Sequence, residues 1–382
     1  MTEPPDGSRV VAAGTLVTGD APPGPGWVAV DGDRVVATGS GAPPREPERT
    51  AAVVVPGFVD LHCHGGGGAS FGADPDGSAH VAAVHAAHGT TTMLASLVTL
   101  APEELRRAVD GLAGLVADGV VAGVHLEGPW LSASRCGAHD PALLRDPDPA
   151  ELGPLLDTGL ISMVTLAPER PGGTAAIGAV AGSGALAAIG HTTATYDQTR
   201  RALDAGARVG THLFNAMDPL HHRDPGPVAA LLTDPRAVVE LICDGVHVHP
   251  ALWQIVAGAA PGRMVAVTDA MAAAGNGDGS YRLGPLPVEV TDGVARVPGG
   301  SIAGSTATAD VLFRNLVRNH PGSREEGLTH AVACTSATPA RTLGRDDIGC
   351  LRPGARADLV LLDDDLAVVS VLRGGSPVGT GG

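Results

Sequence analysis

Residues 53–64 read Val53-Val54-Val55-Pro56-Gly57-Phe58-Val59-Asp60-Leu61-His62-Cys63-His64. An almost unbroken apolar run ending in polar side chains fits a strand buried on both faces, as strands of a parallel sheet are. Seven more such runs follow, at 90–98, 120–127, 161–168, 185–191, 209–215, 238–244 and 264–269. Helix-like stretches separate most of them. The clearest, Ala101-Pro102-Glu103-Glu104-Leu105-Arg106-Arg107-Ala108-Val109, carries Pro and two Glu in its first turn. There a proline loses no hydrogen bond and carboxylates face the positive end of the helix dipole. Eight strands alternating with helices predict an α/β fold, a (β/α)8 TIM-like barrel.

Both chain ends read differently. Val10-Val11-Ala12, Trp27-Val28-Ala29-Val30 and Arg34-Val35-Val36-Ala37 are short strands between Gly, Pro and Asp turns, and 357–362 and 368–372 are strands again. Such a meander is too small to be stable alone. The two ends are therefore expected to meet in one small β-sandwich. The expected domains are 1–52 and 346–382 for the sandwich and 53–345 for the barrel. Residues 280–301, with Asp292-Gly293 at a turn, read as a β-hairpin inserted after the last barrel strand.

Composition narrows the function. The 382 residues are 44% hydrophobic and 17% charged, unlike a disordered chain. No apolar run reaches the roughly 18 residues of a membrane span, and the acidic, proline-rich opening Met1-Thr2-Glu3-Pro4-Pro5-Asp6-Gly7 is unlike a signal peptide. The net charge of −16 argues against nucleic acid and anionic membranes as partners. Five unclustered cysteines point to reduced thiols and a cytoplasmic protein. All 25 basic residues are Arg. Without Lys, Schiff-base catalysis, a P-loop lysine and a carboxylated-lysine metal bridge are excluded.

Active-site residues of such barrels sit at the C-terminal strand ends. The side chains there are His62, His64, Glu127, His191, His212 and Asp269. Four imidazoles and two carboxylates form a metal site by composition. His62 and His64, two apart on a strand, point the same way, with Cys63 opposite. A carboxylate at Glu127 can ligate one divalent ion or bridge two.

The segment Pro56-Gly57-Phe58-Val59-Asp60-Leu61-His62-Cys63-His64 resembles the first-strand signature of the amidohydrolase superfamily. His125-Leu126-Glu127-Gly128-Pro129-Trp130, Gly190-His191-Thr192, Thr211-His212-Leu213-Phe214-Asn215-Ala216-Met217, Asp244-Gly245-Val246-His247 and Thr268-Asp269-Ala270 narrow the resemblance. Together they are similar to the N-acetylglucosamine-6-phosphate deacetylase family, from about residue 9 to residue 372. The resemblance implies Glu127, His191 and His212 as ligands of a principal metal, and His62 and His64 as ligands of a second one shared through Glu127. Some family members lack the H-x-H pair and hold one ion, so one or two divalent ions per subunit are implied. Zn2+ is the first expectation, and Fe2+, Mn2+ or Co2+ suit the same ligands.

The resemblance further implies Asp269 as general base and acid, and His139 as donor to the amide carbonyl oxygen. It implies Arg223 and His247, contributed by the neighbouring subunit of a homodimer, as phosphate contacts. Ala138, His139, Asn215, Ala216, Ile302, Ala303 and Gly304 match sugar-contacting segments. The implied reaction is hydrolysis of N-acetyl-D-glucosamine 6-phosphate to D-glucosamine 6-phosphate and acetate by metal-activated water. Rival readings are a deacetylase for N-acetylgalactosamine 6-phosphate, an amidohydrolase for a non-phosphorylated N-acyl or cyclic amide, and a non-catalytic scaffold. His221, His222 and His249 are expected to be solvated imidazoles. Cys136 is expected to be a free thiol, and Cys243, Cys334 and Cys350 buried packing residues.

Overall fold

The computed structural model describes residues 5–379; the opening four residues and the last three, where the expected terminal spans begin and end, lie outside the described residues. Contacts divide the chain into two units. One comprises the described part of Met1–Asp60, Ala83–Thr92 and Thr308–Gly382, and the other Leu61–Ala82 and Met93–Ala307.

The second unit is the barrel. Seven parallel strands lie side by side in chain order: Ala95–Leu97, Val124–Glu127, Ile161–Leu166, Leu186–Ile189, Val209–Gly210, Val238–Leu241 and Met264–Ala266. Residues 61–64 take the eighth place. The Asp269 N–H donates to the His62 carbonyl, the His64 N–H to the Ala270 carbonyl and the Ser96 N–H to the Cys63 carbonyl, each at 2.8 Å. The last strand is thereby joined to the first, and the barrel closes. Helices follow the strands, and their start signals are legible. Tyr196–Asp204 opens with a capping box of Thr195 and Gln198, and Asp148 caps Pro149–Leu156. His249 is not merely solvated: its Nδ1 accepts the Ala251 N–H at 3.2 Å and caps Pro250–Ala259.

The segment after the last barrel strand is a three-stranded meander of Gly279–Leu283, Leu286–Thr291 and Val294–Arg296. Its second turn is Asp292-Gly293, whose N–H groups donate to the Asp278 carboxylate at 2.8 and 2.9 Å. Leu283, Val288, Val290 and Ala295 pack with Met271 and Ala303.

The first unit contains the β-sandwich drawn from both chain ends. Arg9–Leu16, Gly24–Asp31, Arg34–Ser40 and Arg49–Pro56 join Leu359–Leu362, Val368–Arg373 and Ser376–Pro377 in one seven-stranded sheet. Val11, Val28, Val30, Val54, Leu359 and Leu361 form one apolar layer, and Val10, Trp27, Ala29 and Ala37 another.

The run 53–64 divides at Gly57. Arg49–Pro56 pairs in parallel with Arg9–Leu16 and antiparallel with Leu359–Leu362, so only its last residues reach the barrel. A continuous apolar run looks the same in either sheet, which is why the break was not legible. Helices Ala309–Arg318, Arg324–Val332 and Thr338–Thr342 also group with the first unit. As a proposal for domains, 1–52, 53–345 and 346–382 thus differ from the contact units at both boundaries. No helix among the described residues is long and apolar enough to cross a membrane.

Candidate metal centre

The strand ends carry the site, and three of them are turned sharply. His191, His212 and Asp269 have φ of 46°, 28° and 47°, left-handed values that cost a non-glycine residue ~1 kcal/mol or more. Hydrogen bonds hold these turns. Asp269 donates its N–H to His62 and accepts from the Ser305 N–H at 2.7 Å, and the His212 N–H donates to Glu240 Oε2 at 3.2 Å.

Glu127 is the hub. Its Oε1 lies 3.0 Å from His191 Nε2 and 2.8 Å from His212 Nε2. Its Oε2 lies 3.1 Å from His64 Nε2, 3.5 Å from His62 Nε2 and 3.3 Å from His139 Nε2. Asp269 Oδ1 lies 3.4 and 3.3 Å from the Nε2 atoms of His62 and His64. All seven side chains are buried. Two groups have ligand atoms within 4.8 Å of one another: His62, His64, Glu127 and Asp269, and Glu127, His139 and His191.

The outer ring nitrogens decide which of these imidazoles can bind an ion. His62 Nδ1 faces Glu240 Oε2 at 3.2 Å, His64 Nδ1 the Ser96 carbonyl at 3.2 Å, and His191 Nδ1 the Arg135 carbonyl at 2.8 Å. Each faces an acceptor and carries the proton, which leaves Nε2 bare toward the centre. The Nε2 atoms of His62 and His64 are 3.0 Å apart, and those of His191 and His212 are 3.1 Å apart. Two lone pairs this close repel unless a proton or a metal cation lies between them.

His139 differs. Its Nδ1 accepts the Thr99 N–H at 3.2 Å and also meets the Thr99 hydroxyl at 2.8 Å. A backbone N–H only donates, so the proton of the neutral ring sits on Nε2. The His139 Nε2–H thus faces Glu127 Oε2 at 3.3 Å, whereas the Nε2 atoms of His191 and His212 face Glu127 Oε1.

Charge leads to the same conclusion. Burial pushes the Glu127 and Asp269 carboxyls up, but the His62 charge and hydrogen bonds from the surrounding imidazoles outweigh it, and both are held below the usual carboxylate range. Two buried negative charges demand positive charge nearby. Without an ion the demand falls on imidazoles. Burial disfavours a charge on His62, yet Glu127 and Asp269 overcome this and raise it well above the usual range. Burial lowers His191 to about 4, keeping its lone pair free at neutral pH. Proton and metal compete for these nitrogens, and the residues fit one or two divalent cations.

A cavity of about 380 Å³ opens over the cluster. Of the expected substrate contacts, Ala138, His139, Asn215, Ala216, His247, Ile302 and Gly304 line it. Ala303 does not; its side chain packs into the apolar layer of the meander. Arg223 does not line it either. Its guanidinium is exposed and bonds His222 Nε2 at 2.8 Å. His247, by contrast, lines the cavity of its own chain, oriented by Asp244 Oδ2 at 2.6 Å from Nδ1.

Sequence reasoning missed the groups behind the ligands. Glu240 is fully buried inside Val238–Leu241, and Ser96 and Thr99 act partly through backbone atoms that carry no residue signature. The one available signal was a lone carboxylate in an otherwise apolar strand. Arg135 also lines the cavity, tethered by its Nε to Asp218 Oδ1 at 2.8 Å.

Comparison with known proteins places the chain in a family. Residues 53–378 match the model of the amidohydrolase family. The chain is 39% identical over 349 residues to an N-acetylgalactosamine-6-phosphate deacetylase of Escherichia coli O157:H7, covering 89% of this chain and 91% of that protein. It is 37% identical over 346 residues to an N-acetylglucosamine-6-phosphate deacetylase of Danio rerio, covering 85% and 84%. Among solved structures, it matches a variant of N-acetyl-D-glucosamine-6-phosphate deacetylase from Mycobacterium smegmatis in complex with N-acetyl-D-glucosamine-6-phosphate. The TM-score is 0.95 and the identity 53%, covering 97% of this chain and 99% of that one.

Proposed function

The chain belongs to the amidohydrolase family, and from that premise we propose that it hydrolyses N-acetyl-D-glucosamine 6-phosphate to D-glucosamine 6-phosphate and acetate. The observation that carries the reading is the buried cluster around Glu127 under a cavity that also receives His139 and His247.

Glu127, His191 and His212 would hold the principal ion, and His62 and His64 a second one, with Zn2+ the first expectation. A divalent ion there supplies Lewis acidity, drawing the pKa of water toward neutrality and polarising a carbonyl. The protein groups do the rest. His139 donates its Nε2 proton to the acetyl oxygen, where negative charge develops. The Asp269 carboxylate takes the proton of the attacking water and returns it to the sugar nitrogen as the C–N bond breaks. Oxygen from water ends in acetate, and the nitrogen leaves as the amine. Asn215, Ala216, Ile302 and Gly304 orient the sugar. The phosphate meets His247, with Arg223 reaching it from the second subunit of a homodimer; a guanidinium binds a phosphate bidentately. A cytoplasmic location accords with five free cysteines.

The Escherichia coli relative gives the C4 epimer a place as the second reading. The test is acetate release by the metal-loaded protein from the two 6-phosphates and from unphosphorylated N-acetylglucosamine. Fast release from the glucosamine ester is expected, with little from the free sugar. Faster release from the galactosamine ester would favour the second reading. Equal release with and without phosphate would remove the phosphate site.

A further inference from the structure

We infer that Glu240 is a positioning residue shared by the two halves of the metal centre. The inference rests on the metal reading above and deepens it. Glu240 sits in the strand Val238–Leu241 and is fully buried. Its Oε2 faces His62 Nδ1 and also accepts the His212 N–H, both at 3.2 Å. Its own carbonyl accepts the Leu213 N–H at 2.8 Å. One residue thus grips the ring of a ligand from residues 61–64 and the backbone of a ligand three strands further round. The two rings are stacked, with centroids 5.5 Å apart.

His212 Nδ1 and Glu240 Oε1 lack a hydrogen-bond partner. For His212 Nε2 to be bare toward Glu127, Nδ1 must carry the proton and needs an acceptor. Glu240 Oε1 is a buried acceptor on the carboxylate that already holds the His212 backbone. The two atoms do not bond each other in this structure; the carboxylate fixes the tautomer of His62 and holds His212 through its backbone N–H. Losing the hydrogen-bond partner behind a ligand imidazole typically costs ~10–100-fold in metal affinity. Glu240 touches neither substrate nor ion. It acts through the His62 ring and the His212 backbone.

The test uses the full-length protein stripped of metal and titrated with Co(II), read by visible absorption and by competition with a chromophoric chelator. Glu240→Gln keeps the shape and one acceptor oxygen but replaces the other with a donor. Glu240→Ala removes both. Expected are parent-like melting of the metal-free Gln variant, a Co(II) affinity at least tenfold below the parent, an altered absorption envelope, and a larger affinity loss in the Ala variant. A folded Gln variant with parent affinity and spectrum overturns the inference even if the Ala variant fails to fold. A parent protein that binds no Co(II) sinks the metal reading and the inference with it.

Discussion

Asp269→Asn separates chemistry from metal binding. Asp269 lies beside the ion site, its Oδ1 3.4 and 3.3 Å from His62 and His64 Nε2, but the centre is organised on Glu127. Asparagine has nearly the same shape and retains one acceptor oxygen. The clamps on residue 269 are backbone bonds, to His62 at 2.8 Å and from Ser305 at 2.7 Å, so they survive the change. What is lost is a carboxylate able to take and return a proton. Positioned proton transfer contributes ~10²–10⁴ in rate, or ~3–5 kcal/mol of barrier. The variant should bind metal like the parent, within about threefold by elemental analysis, and show kcat lower by a factor in that range. Turnover near the parent's, with metal content unchanged, would falsify the assignment of Asp269. Loss of both together would show that Asp269 serves mainly as a ligand.

Other outcomes test the proposed site and the fold around it. Arg223→Ala should raise KM for the phosphorylated sugar ~10–100-fold, the worth of a charge-assisted phosphate contact, with kcat little changed; an unchanged KM removes Arg223 from the phosphate site. Gly304 has φ +70°, and a Cβ there would lie 2.8 Å from the Asp269 carbonyl oxygen. Gly304→Ala should therefore cost ~1 kcal/mol or more in stability and lower kcat; parent-like melting and rate would contradict this. Asp234 is held down to about 2 from 3.8 by hydrogen bonds from Arg236 and the charge of Arg200. Its folded value lies below its unfolded one, so the stabilisation is present above pH ~4 and is lost as pH falls toward ~2. Both arginines are more than a third exposed, which discounts the contribution to ~1 kcal/mol. Asp234→Asn should remove it at pH 7 and flatten the acid limb of a stability–pH profile; an unchanged acid limb would count against the network.

The barrel was legible because five of its eight strands end in side chains that gather at the centre. In His62-Cys63-His64 a two-residue period alone places two imidazoles together, and they meet at 3.0 Å. Glu127, His191, His212 and Asp269 were legible as strand ends, although not the left-handed turns that aim three of them. Backbone strain of that kind is fixed by tertiary hydrogen bonds, which local sequence does not encode. Glu240 escaped notice because a strand buried on both faces shows no alternation to mark an inward carboxylate. The division of 53–64 at Gly57 escaped for a related reason, since hydrophobicity does not say which sheet a strand joins. The proton position on His139 depends on a backbone N–H from Thr99, forty residues away in sequence.

The most direct single measurement is the rate of acetate release from N-acetyl-D-glucosamine 6-phosphate as Zn2+ is titrated into chelator-stripped protein. The cluster around Glu127 requires a rate near zero in the stripped protein, rising with added ion to a plateau at one or two equivalents per chain. A stripped protein that releases acetate as fast as the reconstituted one would contradict a hydrolase built on that cluster.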